Sequence, residues 1–253
     1  MRAIPQKIHI LKFIGEQGVV TISDITRHFS CPDKYSYIRI ALYKLGLAHV
    51  KYLDIHNGIW FIDNPDLYDL LRSYYPDFPQ LEARLVGLGR VPHCLELNHI
   101  RTTLTHTHRI TIDNWWSERC LWSLPLSKRE EFCGDKIPDA IFWHKRRDGS
   151  RQKYFLEYER TLKSKDRYDE IFRTYARRRD VNNRNVIYIC QTLKIKRQLE
   201  NIEERLVRSG RLSDIGQYFQ FVTLESFYKS HSNPNPIKEE AHHEENQNVY
   251  ANV

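Results

Sequence analysis

The chain has 253 residues, 41% hydrophobic and 28% charged, the proportions of a globular protein and not of a disordered or membrane-embedded one. Lys and Arg number 39 against 32 Asp and Glu, a net charge of +7 that favours a polyanionic partner, nucleic acid first among them. The 5 cysteines, Cys31, Cys94, Cys120, Cys133 and Cys190, are scattered and odd in number, which speaks against a disulfide framework or a four-cysteine zinc site and suits a reducing cytoplasm.

At the N-terminus, charges interrupt the apolar stretch MRAIPQKIHILKFIGEQG and no small-residue cleavage site follows, so it does not read as a signal peptide. No apolar run approaches the roughly 20 residues of a membrane helix, and a cytoplasmic location with no membrane partner is expected. Ile8, Ile10, Leu11 and Ile14 recur at helical spacing up to Gly15 and Gly18. Thr21 offers an N-cap for a second helix, TISDITRHF, and after Cys31-Pro32 the segment DKYSYIRIALYKLG forms a third that Gly46 ends. LAHVKYLD and GIWFID then pair around His56-Asn57-Gly58, a hairpin signal. Three helices and a hairpin in this order predict a winged helix-turn-helix, with Lys34, Tyr35, Ser36, Tyr37, Arg39 and Lys44 of the third helix facing DNA. NPDLYDLLRSYY supplies a connector helix that Pro76 and Pro79 stop, placing the boundary of this unit at residues 1–80.

From His93 the pattern changes. HCLELNHIRTTLTHTHRIT suggests a helix, RCLWSLPL a strand, and KIPDAIFW and QKYFLEYER two strands joined by a turn at Asp148-Gly149. KDRYDEIFRTYARRR is helical, NVIYIC a buried strand, KIKRQLENIEERLVRSG an amphipathic helix and QYFQFVTLESF a last strand. The sum is an α+β or α/β fold with a mixed sheet over residues 81–228, followed by a polar tail, 229–253, expected to be disordered. His242 and His243 in that tail do not suggest a metal site.

Chemistry concentrates on the central hairpin. Glu157 and Glu159 stand at i and i+2 of one strand and so share a face, and Asp139 begins the neighbouring strand. Converging carboxylates repel unless a divalent cation neutralises them, and oxygen ligands suit Mg2+ or Mn2+, which activate water for phosphodiester cleavage. Beyond them Lys163, Lys165, Arg167, Arg177 and Arg178 supply positive charge for phosphate contacts, and Trp115, Trp116 and Trp122 are candidates to stack on unpaired bases.

The run Pro138-Asp139-Ala140, followed across a hairpin by Leu156-Glu157-Tyr158-Glu159, resembles the PD-(D/E)xK nucleases, whose fold is that of restriction endonucleases. Asp139 and Glu157 match the two metal-binding acids, while Glu159 stands where most members have lysine, with Lys163 or Lys165 as nearby sources of charge. With the N-terminal winged helix and Asn98-His99-Ile100 on a helix, the layout looks like that of the replication-relaxation family, which includes the MOBC class of plasmid mobilisation relaxases. The resemblance implies nicking of one DNA strand at a plasmid transfer origin, with catalytic roles for Asp139, Glu157, Glu159 and His99, Glu96 being an alternative acid. It also implies an accessory relaxosome protein and a coupling ATPase as partners. A tyrosine relaxase of the HUH type is disfavoured, because His106-Thr107-His108 has a polar middle residue in a helical context. The alternative is a DNA-binding regulator with a degenerate nuclease-like domain.

Overall fold

A computed structural model describes residues 6–30, 50–53, 58–62, 65–79, 81, 86–108, 114–145, 149–178, 180–181, 185–213 and 216–232. The segment expected as the third helix of the N-terminal unit, with Lys34, Tyr35, Ser36, Tyr37, Arg39 and Lys44, lies outside the described residues, as does the chain from residue 233.

Helix α1 (Gln6–Gln17) buries Ile8, Leu11, Phe13 and Ile14 and stops at Gly18, whose φ of 79° is open to glycine and strained for other residues. Strand β1 (Val20–Thr21) follows, then α2 (Ile22–Phe29). Thr21 caps α2 as the sequence predicts: its hydroxyl accepts from the Asp24 amide, and the Asp24 carboxylate accepts from the Thr21 amide in return. Strands β2 (Val50–Leu53) and β3 (Ile59–Ile62) pair antiparallel, and β3 also pairs with β1, giving a small sheet in the order β1-β3-β2. Helix α3 (Asp66–Tyr74) closes its core with Leu67, Tyr68 and Leu71.

The second unit starts with helix α4 (Val91–His108) and is built on one mixed sheet of β4 (Trp115–Ser117), β5 (Ala140–Lys145), β6 (Arg151–Glu159), β7 (Val186–Cys190) and β8 (Phe219–Thr223), in that spatial order. The β4/β5 and β5/β6 pairs are antiparallel and the β6/β7 and β7/β8 pairs parallel. Helices α5 (Glu118–Trp122) and α6 (Leu126–Cys133) lie between β4 and β5; α7 (Lys165–Ala176), α8 (Leu193–Arg208) and α9 (Leu224–Ser232) each follow a strand of the parallel half.

Alternation along β6 sorts two apolar layers. Phe155 joins Tyr168, Phe172 and Tyr175 of α7 and Leu199 of α8 on one face. Leu156 and Tyr158 join Leu97, Ile100 and Leu104 of α4 and Phe227 of α9 on the other. Two expectations are corrected. Arg119–Trp122 are helical, because Ser117 caps that turn by accepting from the Cys120 amide, and the strand ends just before them. Residues 224–232, partly assigned to the last strand and partly to the tail, form α9, whose Phe227 is buried under the sheet.

The units meet on polar groups that are themselves buried. Asn98 of α4, fully buried, donates to the Val19 carbonyl at 2.8 Å. Arg101, fully buried, reaches Glu16 at 2.7 Å, and Glu16 also binds Lys12 at 2.6 Å. No helix among the described residues is long and apolar enough to cross a membrane.

Candidate active site

The register of β5 against β6 sets Ala140 opposite Leu156. Carried one residue back, the same register sets Asp139 opposite Glu157, so an aspartate ahead of one strand and a glutamate near the end of the next meet at one end of the central strands. Both Asp139 oxygens are engaged: Oδ2 accepts from the Tyr158 amide at 2.7 Å and Oδ1 meets Nε2 of His93 at 3.1 Å. Glu157 is buried, and its Oε1 accepts from Nζ of Lys136 at 2.6 Å and from the Tyr175 hydroxyl at 2.5 Å. Its Oε2 has no hydrogen-bond partner among the described residues, and neither does the buried hydroxyl of Tyr188, opposite Glu157 in the β6/β7 register.

Electrostatics sets the two acids apart. Burial pushes the Asp139 carboxyl upward, but the His93 hydrogen bond and charge, the Lys136 ammonium and the Tyr158 amide together hold it below the ordinary aspartate range. Burial dominates at Glu157 and, helped by the Asp139 charge, raises it above the usual glutamate range although Lys136 and Tyr175 act the other way. At Lys136, burial works against the ammonium, and the Glu157 and Asp139 charges outweigh it and raise its pKa. The Tyr175 phenol is held well above its usual range by burial and by Glu157. One carboxylate thus keeps its charge and its neighbour takes a proton more readily, a division of the kind acid-base sites use.

The remaining expected residues go elsewhere. Glu159, also buried, points its Oε2 at the Lys163 ammonium, and among the described residues no group of three or more His, Cys, Asp or Glu side chains is arranged to hold a metal ion. The trio of acids expected from the sequence is therefore a pair: two residues further along the strand, about 6.6 Å, Glu159 comes within reach of the loop lysine instead. That pair still fits a hard cation, since Mg2+ binds through one or two carboxylates and keeps several waters, and Glu157 Oε2 is uncommitted.

His99 does not join the acids. Its Nε2 meets Asp24 Oδ1 at 3.0 Å, and six residues separate it from His93, about 120° around the helix. Glu96 accepts from the Tyr228 hydroxyl at 2.6 Å on the side facing α9. His106 lies in α4 with Nε2 at 3.2 Å from the His28 carbonyl.

Of the basic residues, Lys165 and Arg177 are exposed, Arg167 pairs with Glu170 at 2.6 Å, and Arg178 is spent internally on Asp180 and the Phe132 carbonyl. Among the tryptophans, Trp115 is buried, Trp116 packs partly buried in the core, and Trp122 is 55% exposed. His93 and Lys136 were missed in the sequence; Lys136 stands three residues ahead of Asp139, close enough to have suggested itself, whereas nothing local marks His93.

Asp139 also lines a cleft of about 660 Å3 between the units, with Gln17 from α1, Arg90 from the turn just before α4, Cys94 from the start of α4, and Arg119 and Trp122 from α5. Compared with known proteins, the chain matches no family model, no curated protein and no solved structure.

Proposed function

We propose that the chain is a metal-dependent, site-specific DNA-nicking enzyme, a mobilisation relaxase that cuts one strand at a plasmid transfer origin to begin conjugative transfer. The observation that carries this reading is the opposition of Asp139 and Glu157 across the β5/β6 hairpin with the Lys136 ammonium seated on Glu157. Two acids and a lysine at one end of the central strands are the groups a restriction-endonuclease-like centre needs, and Lys136 answers the absence of lysine at Glu159. The α1–β1–α2 order and the β1-β3-β2 sheet support a winged-helix reader ahead of it.

In this reading Asp139 and Glu157 would hold Mg2+ or Mn2+, which would supply Lewis-acid charge to lower the pKa of water and offset charge on the scissile phosphate. The chain's own residues do the rest. His93 and the Tyr158 amide fix Asp139, Tyr175 fixes Glu157, and Lys136, kept protonated by the two acids, acts as a positive donor to the phosphate oxygens and not as a base. An accessory relaxosome protein and a coupling ATPase belong to the same reading.

A second reading, a DNA-binding regulator, is favoured by one observation: Lys136 and Lys163 already neutralise Glu157 and Glu159 in pairs. Supercoiled plasmid carrying the gene's own neighbourhood, incubated with the protein and Mg2+ or Mn2+, separates the two. Open circles that require metal and disappear with Glu157→Gln support the nicking enzyme; linear product indicates a double-strand nuclease. Plasmid retarded in a gel yet left supercoiled, with either protein, selects the regulator.

A further inference from the structure

We propose that the cleft beside Asp139 receives a single unpaired nucleotide next to the cut, its base stacked on Trp122 and its edge read by the Gln17 amide; this rests on the nuclease reading. Three observations meet there. Gln17, 7% exposed, lines the cleft and its amide Nε2 has no hydrogen-bond partner among the described residues. An amide donor kept dry and unpaired is rare in folded proteins and calls for an acceptor that arrives from outside. Base carbonyl oxygens and ring nitrogens are such acceptors, and every unpaired base presents at least one.

The second observation is Trp122. It is 55% exposed and lines the cleft. Its indole is held in place: Nε1 donates to Glu118 Oε1 at 3.3 Å, and the Arg129 guanidinium lies 4.9 Å from the ring centroid. A fixed, accessible indole is a stacking platform, which every base can use whatever its identity.

The third is size, with cations in the wall: Arg90 and Arg119 line the same cleft as Glu118 and Asp139, Arg90 pairing with Glu118 and Arg119 donating to the Tyr68 hydroxyl at 2.9 Å. A volume of about 660 Å3 takes a nucleotide and excludes a duplex. Because Asp139 belongs to both the cleft and the acid pair, a nucleotide seated there lies beside the phosphate presented to Glu157 and Lys136. Gln17 comes from the N-terminal unit and Trp122 from the sheet unit, so the pocket is complete only with both.

Binding is measured on a Glu157→Gln background, which separates it from cutting, by tryptophan fluorescence and anisotropy. The probes are dT and dA oligonucleotides of about 12 nucleotides, a length that single-strand grooves span. Trp122→Ala, a surface change, is expected to weaken both about tenfold. Gln17→Leu, nearly isosteric, is expected to weaken both by roughly fivefold while leaving the salt dependence unchanged. Affinities of both variants within twofold of the parent, or no binding of single strands, overturn the pocket. Plasmid nicking by the unmutated chain is scored alongside: nicking with unaltered oligonucleotide binding in the variants refutes the pocket alone, and the predicted binding losses without any nicking refute the nuclease reading alone.

Discussion

Lys136 is the residue on which the proposed chemistry turns, because it brings the positive charge that the strand position of Glu159 does not. Lys136→Met is expected to lower the nicking rate about 10²–10³-fold, the loss usual when one oriented donor to a charged transition state is removed, with plasmid affinity nearly unchanged. Single-turnover nicking beside a binding isotherm checks this.

His28 makes a different statement, about stability. Its ring stacks on Phe13 at 4.3 Å, meets the Thr102 hydroxyl at 3.1 Å and is buried; burial, then the Arg101 and His106 charges, depress its pKa to about 2. A depressed histidine costs nothing above pH 6.5, where folded and unfolded chains both hold it neutral. Below that the unfolded chain takes a proton that the fold refuses, so stability falls with pH from about 6.5 toward 2, by at most about 1.4 kcal/mol per unit. Urea melts between pH 4.5 and 7.5 are expected to show that slope, and His28→Gln to flatten it.

Among the elements, α4 carries the most. Its first turn holds His93 against Asp139, and its middle turns send Asn98, His99, Arg101 and Thr102 into the N-terminal unit. Asn98→Ala leaves the Val19 carbonyl without its donor in a dry interface and is expected to cost about 1–3 kcal/mol, read from the midpoint of a urea melt.

The same helix shows what sequence can and cannot tell. The β5–β6 hairpin, α7, β7 and α8 follow from periodicity and from Asp148-Gly149, because those signals are local. The acids Asp139 and Glu157 were legible for the same reason: an i, i+2 pair and a Pro-Asp at a strand start are features of short segments. Polar residues on α4 carry no local mark of their partners, so Asn98 and His99 were open to being taken for site residues, and His93 went unnoticed. The short helix α5 was hidden because Cys120, Leu121 and Trp122 form an apolar run that fits a strand equally well, and only the Ser117 cap decides the matter.

For the whole molecule, a net charge of +7 would make the proposed DNA binding salt-dependent, and the structure sorts the residues able to carry it. Lys165 and Arg177 are exposed, whereas the Arg178 side chain is only 11% exposed and binds Asp180 at 2.8 Å. Lys165→Ala and Arg177→Ala are each expected to lower the slope of log affinity against log salt by about 0.9 without changing stability. Arg178→Ala is expected to leave that slope alone and to destabilise by about 1–3 kcal/mol. Anisotropy titrations at several salt concentrations, with melts of the same proteins, test both. The seam between the units has a consequence for engineering. Arg101, Glu16 and Lys12 share one ion network across it, and the Ser117 hydroxyl donates to the Glu16 carbonyl. A chimera that replaces the N-terminal unit over this sheet would strand the Arg101 guanidinium in a dry seam, so any exchange of that unit has to carry the α1 glutamate along with it.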